Sequence, residues 1–392
     1  MSRRIGIFGS TGSIGVQAME MIERNGNILR PVFLSCGQNV PRLVEQIRLF
    51  KPEAVCVRSE SDAEDIKCEF PDLTVFSGPE GLNHAASEIE FDVMFNSLVG
   101  ISGLAPTLAF LKAAGNTGKI LALSNKETLV TGGRFVTEAA MQAGISIIPV
   151  DSEHSAIFQC LRGNEPSDVK KIILTGSGGP FRGRESDELA GVTPEQALAH
   201  PNWNMGAKIT IDSATMMNKA FEIIEARWLF ALRPEQIDVV IHPQSIAHSF
   251  VEYVDGAIMS QLGAPDMRVP ISYAFSVPAR WDTDVSTVDL STQGTLDFES
   301  PSGFIKRGLD LAYHVLGEES RGFDSPGVVL NGANEELVAM FLSGDIGFTA
   351  IIDTIEKVVT DHKPQRMESP TDIFELDKES RAAARRIVEG KN

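Results

Sequence analysis

RIGIFGSTGSIGVQAMEMIER, residues 4–24, is the stretch that decides the fold. It opens with a short apolar run from Arg4 to Phe8, turns through Gly9, Gly12 and Gly15, and continues from Val16 to Arg24 with apolar residues at helical spacing. Strand, glycine turn and helix in that order are what a dinucleotide site needs. Glycines let the backbone approach a pyrophosphate, and the helix start presents free amides and a positive dipole. The spacing is G-x-x-G-x-x-G in place of the commoner G-x-G-x-x-G, so the motif gains its weight from standing at the head of a β/α series.

Outward from it, strands near Arg4, Pro31, Ala54, Thr74, Asp92, Lys119 and Ile145 alternate with helical segments. Residues 1–150 therefore read as an α/β domain, a Rossmann-like, doubly wound and mostly parallel sheet. The second strand ends at Cys36 without the acid that would bond a ribose 2′-hydroxyl, which favours NADP(H) over NAD(H). Residues 151–281 change to an α+β mixture with strands expected at 171–175, 239–241, 249–254 and 257–261. Residues 282–304, rich in Asp, Ser and Thr, read as a linker. From 305 to 392, helices at 305–316, 326–342, 348–360 and 378–388 form a small C-terminal bundle.

A chain of 392 residues, 43% hydrophobic, can bury several cores. With no apolar run long enough for a membrane helix and no cleavable signal, it reads as a cytoplasmic protein that does not bind membranes. Cys36, Cys56, Cys68 and Cys160 lack zinc spacing and read as reduced thiols. A formal charge of −18 argues against nucleic acid as a partner. It leaves room for a small anionic substrate, because distant surface charges are screened and local groups decide.

Two segments carry the chemistry. PVDSEHSAIFQ, residues 149–159, reads as a strand end that delivers Asp151 and Glu153 on alternate positions, which point the same way on an extended backbone. Two such carboxylates repel unless a cation or a proton lies between them, and an all-oxygen site suits Mg²⁺ or Mn²⁺. The same residues read, without a metal, as a helix cap and a first-turn acid. HPNWNMGAKITIDSATMMNKAFE, residues 200–222, places Ser213 at an expected helix start, with Asn218, Lys219 and Glu222 following on one face. Glu222 would complete a three-carboxylate metal site, while Ser213, Asn218 and Lys219 offer hydroxyl, amide and ammonium donors to phosphate. A solvated ion pair is the plainer account of Lys219 and Glu222. Between these segments, residues 176–206 mix glycine, proline and charge around Trp203, and read as a flap whose Trp203 and Met205 cover a substrate.

In this order, GSTGSIG (9–15), SNKE (124–127), PVDSEHSAIFQ (149–159), TGSGGPFR (175–182), HPNWNMG (200–206), DSATMMNKAFE (212–222) and LGAPDMRVPISYA (262–274) make the chain resemble the 1-deoxy-D-xylulose 5-phosphate reductoisomerases along nearly its whole length. The resemblance implies an NADP-dependent oxidoreductase of isoprene biosynthesis, a homodimer requiring Mn²⁺, Mg²⁺ or Co²⁺. It would convert a small phosphorylated sugar to 2-C-methyl-D-erythritol 4-phosphate, by retro-aldol cleavage and re-addition followed by reduction with NADPH. It further implies catalytic roles for Lys126, Asp151, Glu153, His200 and Glu222, with the metal on Asp151, Glu153 and Glu222. Substrate contacts fall on Lys126, Ser152, Glu153, Ser177, His200, Ser213, Asn218, Lys219 and Glu222. Cofactor contacts fall on Thr11, Gly12, Ser13, Ile14, Gly37, Gln38, Asn39, Asn125, Glu127 and Gly206, with Met267 against the nicotinamide. Many members carry a basic residue where Gln38 stands; Arg58, after the third strand, is a candidate substitute.

Other readings each leave a segment idle. A homoserine or semialdehyde dehydrogenase has no use for three carboxylates, a metal-dependent aldolase none for GSTGSIG, and an NADP(H) sensor none for Lys219.

Overall fold

The computed structural model describes residues 2–115, 118–199, 203 and 205–390, which form two compact units. Neither is contiguous: the first takes Met1–Thr128, Phe135–Ser155 and Asp266–Val285, the second Leu129–Arg134, Ala156–Pro265 and Ser286–Asn392.

The first unit is built on strands β1 (Arg3–Phe8), β2 (Leu29–Ser35), β3 (Ala54–Val57), β4 (Thr74–Ser77), β5 (Val93–Asn96), β6 (Ile120–Leu123) and β7 (Ser146–Pro149). All pair in parallel, as the sequence alternation predicts, and the structure sets their order as β4-β3-β2-β1-β5-β6-β7. Crossover helices cover both faces of such a sheet, which is why β5 (VMFN) and β6 (ILAL) are buried runs without alternation. Phe8 packs on Phe33 and Phe91, with ring centroids 4.7 and 6.1 Å away, and Phe91 stacks on Phe110. The strand order reverses between β1 and β5, so the carboxyl ends of these strands open the crevice where ligands of this architecture bind. Residues 266–285, placed by the sequence pattern with the second domain as far as 281 and with the linker beyond it, pack in this unit. Helix Arg268–Ser276 lies on helix Ser13–Arg24, Phe275 meets Phe95 at 5.3 Å, and Arg3 donates to the Phe275 carbonyl at 2.8 Å.

The second unit holds a four-stranded sheet, β11-β10-β8-β9, from β8 (Val169–Gly176), β9 (Ile237–Ile241), β10 (Ala247–Tyr253) and β11 (Ile258–Leu262). Strands β8 and β9 are parallel and the remaining pairs antiparallel. Helices Phe304–Ser320, Ser325–Ser343, Phe348–Asp361 and Pro370–Val388 occupy the expected helical tail; the last starts eight residues before its apolar periodicity, under a Ser369 and Asp372 capping box with Pro370 at its first position. Phe348 is fully buried among Phe181, Phe304 and Phe341, with centroids 4.9–5.6 Å away. Burying such a ring contributes about 1.5–3 kcal/mol. No helix among the described residues is long and apolar enough to cross a membrane.

Glu319 of helix Phe304–Ser320 is buried beneath Trp228, whose Nε1 donates to it at 3.3 Å, with Arg227 Nε 3.4 Å away. Burial pushes its pKa from 4.5 up to about 8, against the pull of Arg227 and the Trp228 hydrogen bond. A carboxyl group whose folded pKa is raised contributes stability below its unfolded pKa. That contribution is lost as pH rises through about 8. Glu319→Gln should therefore gain on the parent between roughly pH 5 and pH 9 by a few degrees of Tm. A Tm difference independent of pH would refute this titration.

Candidate active site

The glycine turn is shaped by contacts that tolerate no side chain. Gly9 has φ +94°, and a Cβ there would sit 2.8 Å from the Ser97 carbonyl oxygen; a Cβ on Gly15 would collide with the Gly9 carbonyl. Ser10 is buried and its hydroxyl donates to Gln46 at 2.7 Å, while the Gly9 amide donates to Ser35 Oγ at 2.9 Å, tying the turn to β2. Gly12 is the N-cap of helix Ser13–Arg24, which has no side-chain cap, and Gly12 and Ser13 are exposed between half-buried Thr11 and Ile14. An uncapped helix start in the open is what an anionic pyrophosphate requires. Gly37, Gln38 and Asn39 lie exposed after β2, with Asn39 Oδ1 accepting from the Arg42 amide to cap helix Val40–Phe50. Arg58 follows directly on neighbouring β3 and is exposed.

At the ends of β6 and β7, Asn125 is buried and ties the loop after β5 to that after β6. Its amide donates to the Leu98 and Gly100 carbonyls at 2.8 and 3.0 Å and to Glu127 at 3.1 Å, and its Oδ1 accepts from the Thr128 amide. Lys126 begins helix Glu127–Ala143 as its N-cap, buried, with Nζ 2.5 Å from Asp151 Oδ2. The helix dipole disfavours that ammonium and Asp151 offsets the cost. The extended spacing expected for the acids is corrected here. Helix Ser152–Leu161 starts at once after Asp151, so Glu153 lies in the first helical turn, where Ser152 Oγ donates to it at 2.5 Å. The hydrogen bond from the Ser152 amide to Asp151 Oδ1 at 3.0 Å, and that from the Ser155 amide to the Asp151 carbonyl, turn the backbone.

In the second unit, β8 runs into Gly176, where a Cβ would stand 3.1 Å from Lys219 Cε, and Ser177 Oγ next accepts from the Gly179 amide. The expected single helix from Ser213 is two. Helix Ala207–Ala214, with Gly206 as N-cap, ends before Met216, a left-handed residue at φ 64°, and helix Met217–Phe230 follows. Ser213 thus lies in a last helical turn, half-buried, and caps nothing by its side chain. Lys219 and Glu222 are buried and paired, and Asn218 Nδ2 donates to the other Glu222 oxygen at 2.6 Å. This is no solvated pair: out of water the carboxylate needs a counter-charge, and the ammonium one turn earlier supplies it. In the expected flap, Phe181 and Leu189 are buried, and Trp203 and Met205 are half-buried. His200 lies outside the described residues. Asp212 had gone unremarked in the sequence; its one signal was a carboxylate among apolar residues within DSATMMNKAFE.

Residues 5–133 match the family model described as 1-deoxy-D-xylulose 5-phosphate reductoisomerase, residues 147–230 its C-terminal domain model, and residues 262–383 a further DXP reductoisomerase C-terminal domain model. The chain belongs to the 1-deoxy-D-xylulose 5-phosphate reductoisomerase family. The reductoisomerase of Chlorobium phaeovibrioides is 45% identical over 391 residues, 98% of this chain and 99% of its own. That of Agathobacter rectalis is 47% identical over 356 residues, 90% and 91% of the two chains. Among solved structures, the reductoisomerase from Zymomonas mobilis in complex with NADPH superposes with a TM-score of 0.90 at 37% identity, covering 99% of this chain and 100% of its own. A DOX-P reductoisomerase in complex with NADPH, fosmidomycin and magnesium gives 0.92 at 35% identity, over 99% and 98%.

In this family member the buried Lys219–Glu222 pair makes a direct prediction. Lys219→Met strands a carboxylate and should cost about 3–5 kcal/mol in urea unfolding with chelator present. Lys219→Met with Glu222→Gln should cost much less than the two single losses summed. Strict additivity would mean the pair does not interact.

Proposed function

We propose that this chain carries out the NADPH- and divalent-metal-dependent isomerisation and reduction of 1-deoxy-D-xylulose 5-phosphate to 2-C-methyl-D-erythritol 4-phosphate. The observation that carries this is full-length membership in the reductoisomerase family together with a glycine turn, a three-carboxylate set and a buried lysine beside an asparagine at a helix start in one chain. The residues fit the cation. Asp151, Glu153 and Glu222 could hold a metal ion through oxygens alone, and Asp151 Oδ2 is buried without a hydrogen bond although Lys126 Nζ stands at ion-pair distance. When bound, the cation would polarise the carbonyl and neighbouring hydroxyl oxygens, and the nicotinamide would supply hydride.

The chain's own groups do the rest. The open start of helix Ser13–Arg24, with Thr11, Gly12, Ser13 and Ile14, receives the cofactor's pyrophosphate, and Gly37, Gln38 and Asn39 receive the adenosine ribose. Arg58 supplies the charge for the 2′-phosphate that Gln38 lacks. Asn125, Glu127 and Gly206 border the nicotinamide. Ser177, Ser213, Asn218 and Lys219 bind the substrate phosphate; Lys126, Ser152 and His200 hold its reacting end, Lys126 placing positive charge where negative charge develops. Two copies pair through the edge strand β11, where Ile258, Met259 and Leu262 are 59%, 45% and 41% exposed, more apolar surface than an unpaired edge ordinarily shows.

Loss of NADPH absorbance on adding 1-deoxy-D-xylulose 5-phosphate with Mg²⁺ or Mn²⁺, abolished by chelator, is the expected result; folded protein that consumes no NADPH would defeat the reading. Glu222→Gln should lower turnover on the order of 100-fold or more while leaving NADPH affinity intact. Arg58→Ala should raise KM for NADPH and leave that for NADH unmoved; an equal rise for both would remove Arg58 from the 2′-phosphate. Replacing Ile258 and Met259 together by lysine should halve the mass seen in sedimentation. An unchanged mass would place the interface elsewhere.

A further inference from the structure

Three of the four phosphate-binding groups proposed above, all but Ser177, sit on either side of a strained turn. Ser213 precedes Met216 and Asn218 and Lys219 follow it, and Met216 is held at φ 64°, ψ 7°, where a non-glycine residue stays only if its surroundings impose it. Two helices of the C-terminal tail supply those surroundings. Helix Phe304–Ser320 presents Gly308 to the turn so closely that a Cβ would stand 2.8 Å from the Thr215 carbonyl oxygen. Helix Ser325–Ser343 presents Asn334, fully buried, whose Nδ2 donates to Asp212 Oδ1 at 2.8 Å. Asp212 is buried as well, and its Oδ2 pairs with Lys208 Nζ at 2.8 Å. Asn334 Oδ1 is buried without a hydrogen bond, so the amide is retained at a cost and its bond to Asp212 is what the burial secures.

We infer that Asp212 and Asn334 are positioning residues for the substrate's phosphate. Together they clamp the end of helix Ala207–Ala214, so that the turn at Met216 aims Ser213, Asn218 and Lys219 at one dianion. This gives the C-terminal helices a part in substrate affinity although none of their residues is among those assigned to the phosphate. The inference rests on the phosphate assignment made above.

A clamp acting on bound phosphate alters ground and transition states alike, so its loss raises KM with kcat nearly unchanged. Asn334→Ala should raise KM for 1-deoxy-D-xylulose 5-phosphate and the inhibition constant of inorganic phosphate about tenfold each, with kcat within about twofold and KM for NADPH unmoved. If Asn334→Ala does not fold, Gly308→Ala, pressing on the turn from the other helix, should give the same pattern. A folded variant with both constants unchanged overturns the clamp. Lys219→Ala tests the underlying assignment separately: unchanged inhibition by inorganic phosphate in that variant would reject the phosphate site itself.

Discussion

A carboxylate shut away from water must take up a proton or meet a positive charge, and much of the local architecture follows from that requirement. Glu222 is fully buried and takes its charge from Lys219 one helical turn away; Asp151 takes its own from Lys126 at the end of the adjacent strand. Removing water from both partners is costly, and two apolar residues would stabilise the fold at least as well. A divalent cation held by Asp151, Glu153 and Glu222, as proposed, would share carboxylates that Lys126 and Lys219 already neutralise.

The parallel sheet was legible because each of its strands is an apolar run bounded by turn residues and the runs come at regular intervals. The glycine turn was legible for a related reason: Gly9 and Gly15 stand where only glycine fits, so steric constraint is written directly into residue type. Residues 266–285 were not, since periodicity describes one helix and carries nothing about which sheet it will cover. Phe275 settles that by packing on Phe95, a contact across most of the first unit's sequence.

At the site, residue identity was more readable than backbone path. Lys219, Glu222, Asp151 and Glu153 stood out as charge among apolar neighbours. The break at Met216 did not, because a left-handed methionine has no propensity signal; the helices packed beneath it impose the conformation. Spacing left Glu153 readable either as extended or as a first-turn acid, and the helix that opens with the hydrogen bond from the Ser155 amide to the Asp151 carbonyl decides for the second. Asp212 and Asn334 lie far apart in the chain, and only the fold makes them partners.

The interleaving of the two units bears on how the protein is made. Helix Arg268–Ser276 covers helix Ser13–Arg24, so the first unit cannot close until residue 285 has left the ribosome, long after its seven strands are available. At about 5–20 residues per second, the interval between strand β7 and that helix is on the order of ten seconds. During it the nascent sheet exposes the apolar surface that the helix will bury, a natural landing place for a chaperone on the unfinished chain.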